Sequence, residues 1–135
     1  VSGDAAAAAE RLEALRDRFR VTFGAVPKGA EERLTVADTF GRLETEEHFM
    51  ALRHTVLHDS PLGDRVQQLV HFGQLLALGR EGSARLHARG ALHVGADLAE
   101  LVGVAETALI TSGAPGYALG IAIVAELLAE GTPGV

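Results

Sequence analysis

The chain has 135 residues, no cysteine, and 12 basic against 18 acidic side chains, for a formal net charge of −6. That length suits one domain of ordinary size, and the lack of cysteine excludes disulfides, thiolate metal sites and thiol peroxidase chemistry. The acidic balance, with no basic run, argues against nucleic acid and anionic membrane surfaces as partners. Hydrophobic residues make up 47% of the chain and aromatic residues only 4%, so the core must be built from Ala, Leu and Val. Such side chains let helices approach closely, and Ala and Leu are strong helix formers. Sixteen glycines predict frequent breaks between short helices.

In chain order, a first helix is expected to start at Asp4 as N-cap and run to Phe23, with Ala8, Leu12, Leu15, Phe19 and Phe23 forming one apolar stripe. Residues 24–29 (Gly-Ala-Val-Pro-Lys-Gly) are a turn-rich break. A short helix through Leu34, Ala37 and Phe40 follows. The next, from about Thr45 to His58, is expected to carry Phe49, Leu52 and Val56 on one face. Asp59-Ser-Pro-Leu-Gly-Asp64 ends it and leaves Asp64 to cap a helix over 65–78, whose apolar residues cover much of its circumference.

Gly79 marks a break before a helix from Glu81 to Val94, and Gly95 stands where a left-handed C-terminal residue belongs. Asp97 and Glu100 have the spacing of a capping box opening a helix through Ile110. Ser112-Gly-Ala-Pro115 breaks the chain again. Pro115 suits a first helical turn and Ser112 an N-terminal cap, and the last helix ends near Gly131. No strand pattern and no tandem repeat competes. Residues 1–9 lack the layout of a signal peptide, and the apolar run 117–129 contains Glu126 and is short for a bilayer. A cytoplasmic location is the default expectation.

The chemistry-bearing stretch is Gly79-Arg-Glu-Gly-Ser-Ala-Arg-Leu-His-Ala-Arg89. On a helix Ser83 and His87 share a face, with Arg80 about one turn back. A hydroxyl, an imidazole and a guanidinium together can hold a carboxylate or lactone oxygen and move a proton, with His87 as general acid or base. The alternative is a partly buried histidine bonded to a neighbouring helix, with Arg80 solvated. Glu81 and Arg85 have the spacing of a surface ion pair; next to a substrate both become contact candidates, and Arg85 suits an anion better than Arg89. His54 and His58 are four apart, as helical metal ligands can be, but no third fixed ligand joins them, so an exposed face is the better account and no metal is assigned. His48 lies six residues away. His93, near a helix end, suits the macrodipole, and Tyr117 either packs or lines a pocket.

The segment 64–130 resembles the carboxymuconolactone decarboxylase/alkylhydroperoxidase D-like superfamily. The resemblance rests on Arg65…Leu69…Leu78-Gly79-Arg80-Glu81, then Arg85-Leu86-His87-x-Arg89-x-Ala91-Leu92 and Gly95. It continues through Leu98-x-Glu100-Leu101 and Gly113-x-Pro115. The Arg80-Glu81…Arg85-Leu86-His87 pattern is closer to the decarboxylase branch. The peroxidase branch carries a Cys-x-x-Cys pair where this chain has Arg80 and Ser83, and a Glu where it has Gln68. The decarboxylase branch tends to carry a second His and a Glu at the positions of Gly82 and Ser83, while His87 is retained.

The resemblance implies one all-α domain over 1–135, a compact helical bundle centred on an antiparallel pair at about 65–78 and 81–94. Gln68 and His71 then face the pocket that receives His87. It also implies a homo-oligomer, trimeric or hexameric, with pockets near subunit contacts. The expected function is a cofactor-independent lyase or isomerase acting on a small carboxylate, lactone or enolisable carbonyl compound. His87, Ser83 and His71 are the catalytic candidates, and Arg80, Arg85, Gln68 and Glu81 the substrate-binding ones. The rival is a non-catalytic ligand-binding or structural oligomer on the same scaffold.

Overall fold

Helix-forming residues broken by glycine produce helices throughout. The computed structural model describes residues 3–131, and among them are seven α-helices and no strand. They fall into two units, the first ending at Asp59 and the second beginning at Ser60.

In the first unit, α1 (Gly3–Phe23), α2 (Lys28–Thr39) and α3 (Leu43–His58) pack together. Their core joins Leu15 and Phe19 of α1 to Ala30, Leu34 and Ala37 of α2 and to Leu43 and Met50 of α3. Ala8, Leu12 and Phe23 complete the apolar stripe of α1 against it. Three expectations are corrected here. Gly3 already belongs to α1, so Asp4 lies in its first turn. Phe40 follows α2 and is 73% exposed. Phe49, Leu52 and Val56 are exposed, and α3 buries Leu43, Met50 and Leu57 instead. The misread face is the one whose polar residues are fewest, but Met50 and Leu57 sit seven apart and so nearly superimpose along the helix.

The second unit consists of α4 (Gly63–Leu78), α5 (Glu81–His93), α6 (Leu98–Ser112) and α7 (Ala114–Ala129). α4 begins at Gly63 with Leu62 in the cap position and no side-chain capping bond, so Asp64 lies in its first turn and is not the cap. Gly79 ends α4 at φ 71°, a conformation only glycine adopts without strain, and turns the chain straight into α5. Asp97 and Glu100 form the expected reciprocal cap of α6: the Glu100 amide donates to Asp97 Oδ1 at 2.8 Å, and the Asp97 amide to Glu100 Oε1 at 3.2 Å. Gly113, at φ 92°, turns α6 into α7, whose first turn contains Pro115. Ser112 does not cap α7; its hydroxyl donates back to the Ala108 carbonyl at 3.0 Å.

The unit is therefore two helical hairpins packed on one another. Its core sets Phe72 and Leu76 of α4 against Ala84, Ala88 and Ala91 of α5, with Leu101, Ala105 and Ala108 of α6 and Ile123 and Leu127 of α7. Each fully buried large apolar side chain contributes about 1.5–3 kcal/mol. The α6–α7 contact is made of small residues. A Cβ added at Gly120 would sit 2.5 Å from Ala105 Cβ and 2.9 Å from Leu76 Cδ1. One added at Gly116 would meet Ser112 Oγ at 2.6 Å and the Leu76 carbonyl at 3.2 Å.

Ala105 Cβ cannot rotate away, so Gly120→Ala forces the helices apart. The substitution is expected to cost about 1–3 kcal/mol after its gain in helix propensity is counted. Gly103, on the exposed side of α6, has nothing within 4 Å of an added Cβ, and Gly103→Ala is expected to be neutral or to stabilise by up to about 1 kcal/mol. Urea titration of the two variants checks the contrast; equal midpoints would remove the close-packing account.

Candidate functional site

One stripe of α4 carries Gln68, Phe72 and Leu76, four residues apart, and turns them inward, where all three are buried. The facing stripe of α5 is Ala84, His87, Ala88 and Ala91. Alanines leave room for a ring, so the imidazole of His87 enters the interior and is only 4% exposed. A buried imidazole requires a partner, and the first turns of α4 supply one. His87 Nδ1–H donates to Gln68 Oε1 at 2.8 Å, with Gln68 itself 2% exposed. A neutral ring donating from Nδ1 keeps its lone pair on Nε2, the atom able to accept a proton.

His71, one turn beyond Gln68, lays its ring against that of His87, with centroids 3.7 Å apart and planes at 42°. Its Nδ1 is buried and the residue as a whole half-buried. Two imidazoles in contact in a desolvated setting can share one proton far more readily than carry two, because a second charge meets like-charge repulsion and loses hydration. Gln68, His71 and His87 thus form one buried polar cluster between α4 and α5.

The other residues singled out in the sequence lie outside it. Arg80, Glu81 and Ser83 are exposed at the amino-terminal end of α5, Arg80 in the cap position. Arg85 approaches Glu81 at 3.8 Å, as its spacing predicts, but its main partner is Glu126 of α7. Arg85 Nε donates to Glu126 Oε2 at 3.0 Å and Nη2 to Oε1 at 2.9 Å. One turn on, Arg89 makes the same forked contact with Glu130, at 2.9 and 2.7 Å. These hydrogen bonds raise both arginines above their ordinary values and hold both carboxyls below theirs. The two glutamates were not legible as partners, being 41 residues away in each case. The only hint was their four-residue spacing, the same as that of the arginines.

Elsewhere in this unit, Val66, Leu69 and Val70 of α4 and Val104 and Thr107 of α6 line an apolar groove of about 360 Å³, separate from the histidine cluster. Tyr117 is half-buried against the core. His93 occupies the last turn of α5. In the first unit His54 is exposed and His58 half-buried, its Nε2 2.8 Å from the Thr22 hydroxyl. His48 is exposed beside Glu44. Among the described residues no group of three or more His, Cys, Asp or Glu is gathered as a metal site, and no helix is long and apolar enough to cross a membrane.

An all-α scaffold of paired hairpins, with an imidazole from one helix held by an amide from its antiparallel neighbour and no thiol anywhere, defines the class of protein. The sequence profile of the carboxymuconolactone decarboxylase family matches residues 44–126, more than half of the chain, which belongs to that family. The match begins in α3, some distance before the segment over which the resemblance was recognised by motif. Comparison with curated proteins and with solved structures returned no match.

Glu126 and Glu130 have an ordinary carboxyl value of 4.5 and fall below it on folding. As pH drops, the unfolded chain takes up these protons first. The stability they contribute is complete above about pH 4.5 and is lost as pH passes through their folded values. The double variant Glu126→Gln/Glu130→Gln should therefore lose less stability than the parent on acidification. Thermal unfolding followed from about pH 6 to about pH 3 checks this, and parallel pH profiles would show that the pairs contribute nothing.

Proposed function

We propose that the chain is a cofactor-independent lyase or isomerase acting on a small carboxylate, lactone or enolisable carbonyl compound. The observation that carries this reading is the buried bond from His87 Nδ1 to Gln68 Oε1. It fixes the ring's orientation and, with Nδ1 as the donor, makes Nε2 the basic nitrogen of the neutral ring, the arrangement a general base needs. In this mechanism Nε2 removes a proton from the carbon next to the carbonyl, the electron pair moves onto the oxygen, and the same nitrogen returns the proton at another position. For a β-keto or vinylogous acid the C–C bond to the carboxylate breaks instead, after His87 has taken a proton from water at Nε2. Carbon dioxide leaves, the electron pair of that bond passes to the enolate, and Nε2 delivers its proton to the carbon, returning the ring to its neutral form. Stabilising the enolate oxygen in a site shielded from water supplies much of the acceleration.

His71 relays or shares the proton through its contact with His87, and Gln68 is the positioning residue. Arg80 makes no ion pair among the described residues and is the better anchor for the substrate anion, since Arg85 is engaged by Glu126. Ser83 and Glu81 contribute at the entrance, at the exposed start of α5. One observation favours a second reading, a binding protein without catalysis: the two guanidinium groups nearest in sequence to His87, those of Arg85 and Arg89, are each already satisfied by a carboxylate.

The same reading includes assembly into a homo-oligomer, trimer or hexamer, that completes the site. Ile110 is 86% exposed on α6, and Leu78, Leu109 and Leu128 are also uncovered. Apolar surface of that kind is normally covered by a partner. Ile110→Asp is expected to lower the molar mass in sedimentation to that of a smaller species. An unchanged mass would take α6 out of the interface.

Exchange of solvent deuterium into a panel of enolisable carboxylates and lactones, read by proton NMR, tests the chemistry. His87→Asn with intact helical dichroism is expected to slow exchange about 10²–10⁴-fold. Unchanged exchange in the variant would remove His87 as the proton carrier. Saturable binding of panel compounds without exchange in the parent protein would favour the second reading.

A further inference from the structure

The first unit contains a cleft of about 290 Å³ between α1 and α3. α1 contributes Arg18, Val21 and Thr22, spaced three and four apart, and α3 contributes Met50, Arg53, Leu57 and their neighbours, again at helical spacing. Its floor is apolar, since Met50 and Leu57 are buried, while its polar groups are mainly cationic or able to become so.

The arginines of this chain divide in a telling way. Arg11, Arg16, Arg20, Arg33, Arg65, Arg85 and Arg89 each hold a carboxylate. Arg18, Arg42, Arg53 and Arg80 hold none among the described residues, although the chain has an excess of acidic groups. Arg42 donates to the Thr45 hydroxyl and Arg80 stands exposed at the start of α5, whereas Arg18 and Arg53 come together in this one cleft. Arg18 Nη1 reaches only the Met50 carbonyl, at 3.3 Å, which lays its guanidinium across to α3. Arg53 is half-buried, with its guanidinium carbon 5.7 Å from the Phe49 ring. Burial, reinforced by the charge of Arg33, pulls it below its ordinary value, as expected of a desolvated cation lacking a counter-anion. His54 stands at the rim with its ring 5.3 Å from that of His58, and the buried Thr22 hydroxyl meets His58. The one carboxylate in the wall, Asp17, is taken by Arg20 at 2.5 Å.

We propose that this cleft binds a small organic carboxylate, its charged end between Arg18 and Arg53 and its hydrocarbon body on Val21, Met50 and Leu57. Guanidinium groups match the planar, two-oxygen geometry of a carboxylate, and the apolar floor selects against a bare inorganic anion. The site lies wholly within the first unit and does not depend on the reaction assigned to His87.

Titration of the full chain with benzoate, followed by ¹H–¹⁵N correlation spectra, tests the proposal, with benzamide as the uncharged counterpart and inorganic phosphate as the bare anion. Benzoate is expected to saturate, with shifts concentrated on α1 and α3, and benzamide to bind at least about tenfold more weakly. Arg53→Gln and Arg18→Gln, each with parental helical dichroism, should weaken benzoate about 10–100-fold. Arg42→Gln, which removes an arginine outside the cleft, and His87→Asn should leave its affinity unchanged. The proposal is overturned by absence of saturation, by equal affinity in both cleft variants, by benzamide binding as well as benzoate, or by shifts centred on α4 and α5. Saturation by phosphate alone equally overturns it.

Discussion

Four helices can enclose a polar group only if their backbones come close, and in the second unit small side chains set that distance. Ala84, Ala88 and Ala91 on α5, Ala105 and Ala108 on α6, and Gly116 and Gly120 on α7 leave almost no side chain between the helices they join. With so little bulk at those contacts, packing is fixed by a few large residues, Phe72, Leu76, Leu101 and Ile123. Close packing of this kind tolerates neither a missing nor an added methyl group easily. It also allows one ring, that of His87, to occupy space that larger neighbours would have filled.

That ring brings its own demand. An imidazole and an amide removed from water are costly unless each satisfies the other, so the Gln68–His87 bond ties α4 to α5 and fixes the orientation of the ring. His71 then adds a second imidazole, in ring contact with the first. The charged groups stay at the periphery, Arg85 and Arg89 with their glutamates on α7. Interior polar groups and exterior charge are thereby separated across the width of a single helix.

Much of this was legible from the residues alone, and the exceptions have physical causes. Glycine and proline punctuation located the ends of nearly every helix, because a left-handed residue such as Gly79 or a first-turn Pro115 has few other roles. The pairing of Gln68 and His71 with His87 was implied by the family resemblance, which set α4 and α5 antiparallel, with helical spacing placing Gln68 and His71 on one face. Periodicity failed on α3, where apolar residues are scattered around the circumference, so that Met50 and Leu57 were passed over for Phe49, Leu52 and Val56. Capping by Asp4, Asp64 and Ser112 failed because a good capping residue one position inside a helix reads the same as one at its edge. Glu126 was invisible as the partner of Arg85, since long-range pairing depends on how hairpins stack. The cationic cleft was hidden for the same reason: an unpaired arginine is recognisable only after every carboxylate has been placed.

The two forked contacts between α5 and α7 advance together, Arg85 with Glu126 and Arg89 with Glu130. The helices therefore run in the same direction, and their teeth are spaced by one turn. Sliding α7 by a fraction of a turn would break both contacts at once, while a full step of about 6 Å would restore one and strand two charges. The pair behaves as a ratchet with a single well-populated notch. Exposed pairs of this kind contribute little, so the notch is shallow. It biases α5 and α7 toward one register and so favours rotation or separation of the hairpins over sliding as the way to adjust the surroundings of His87.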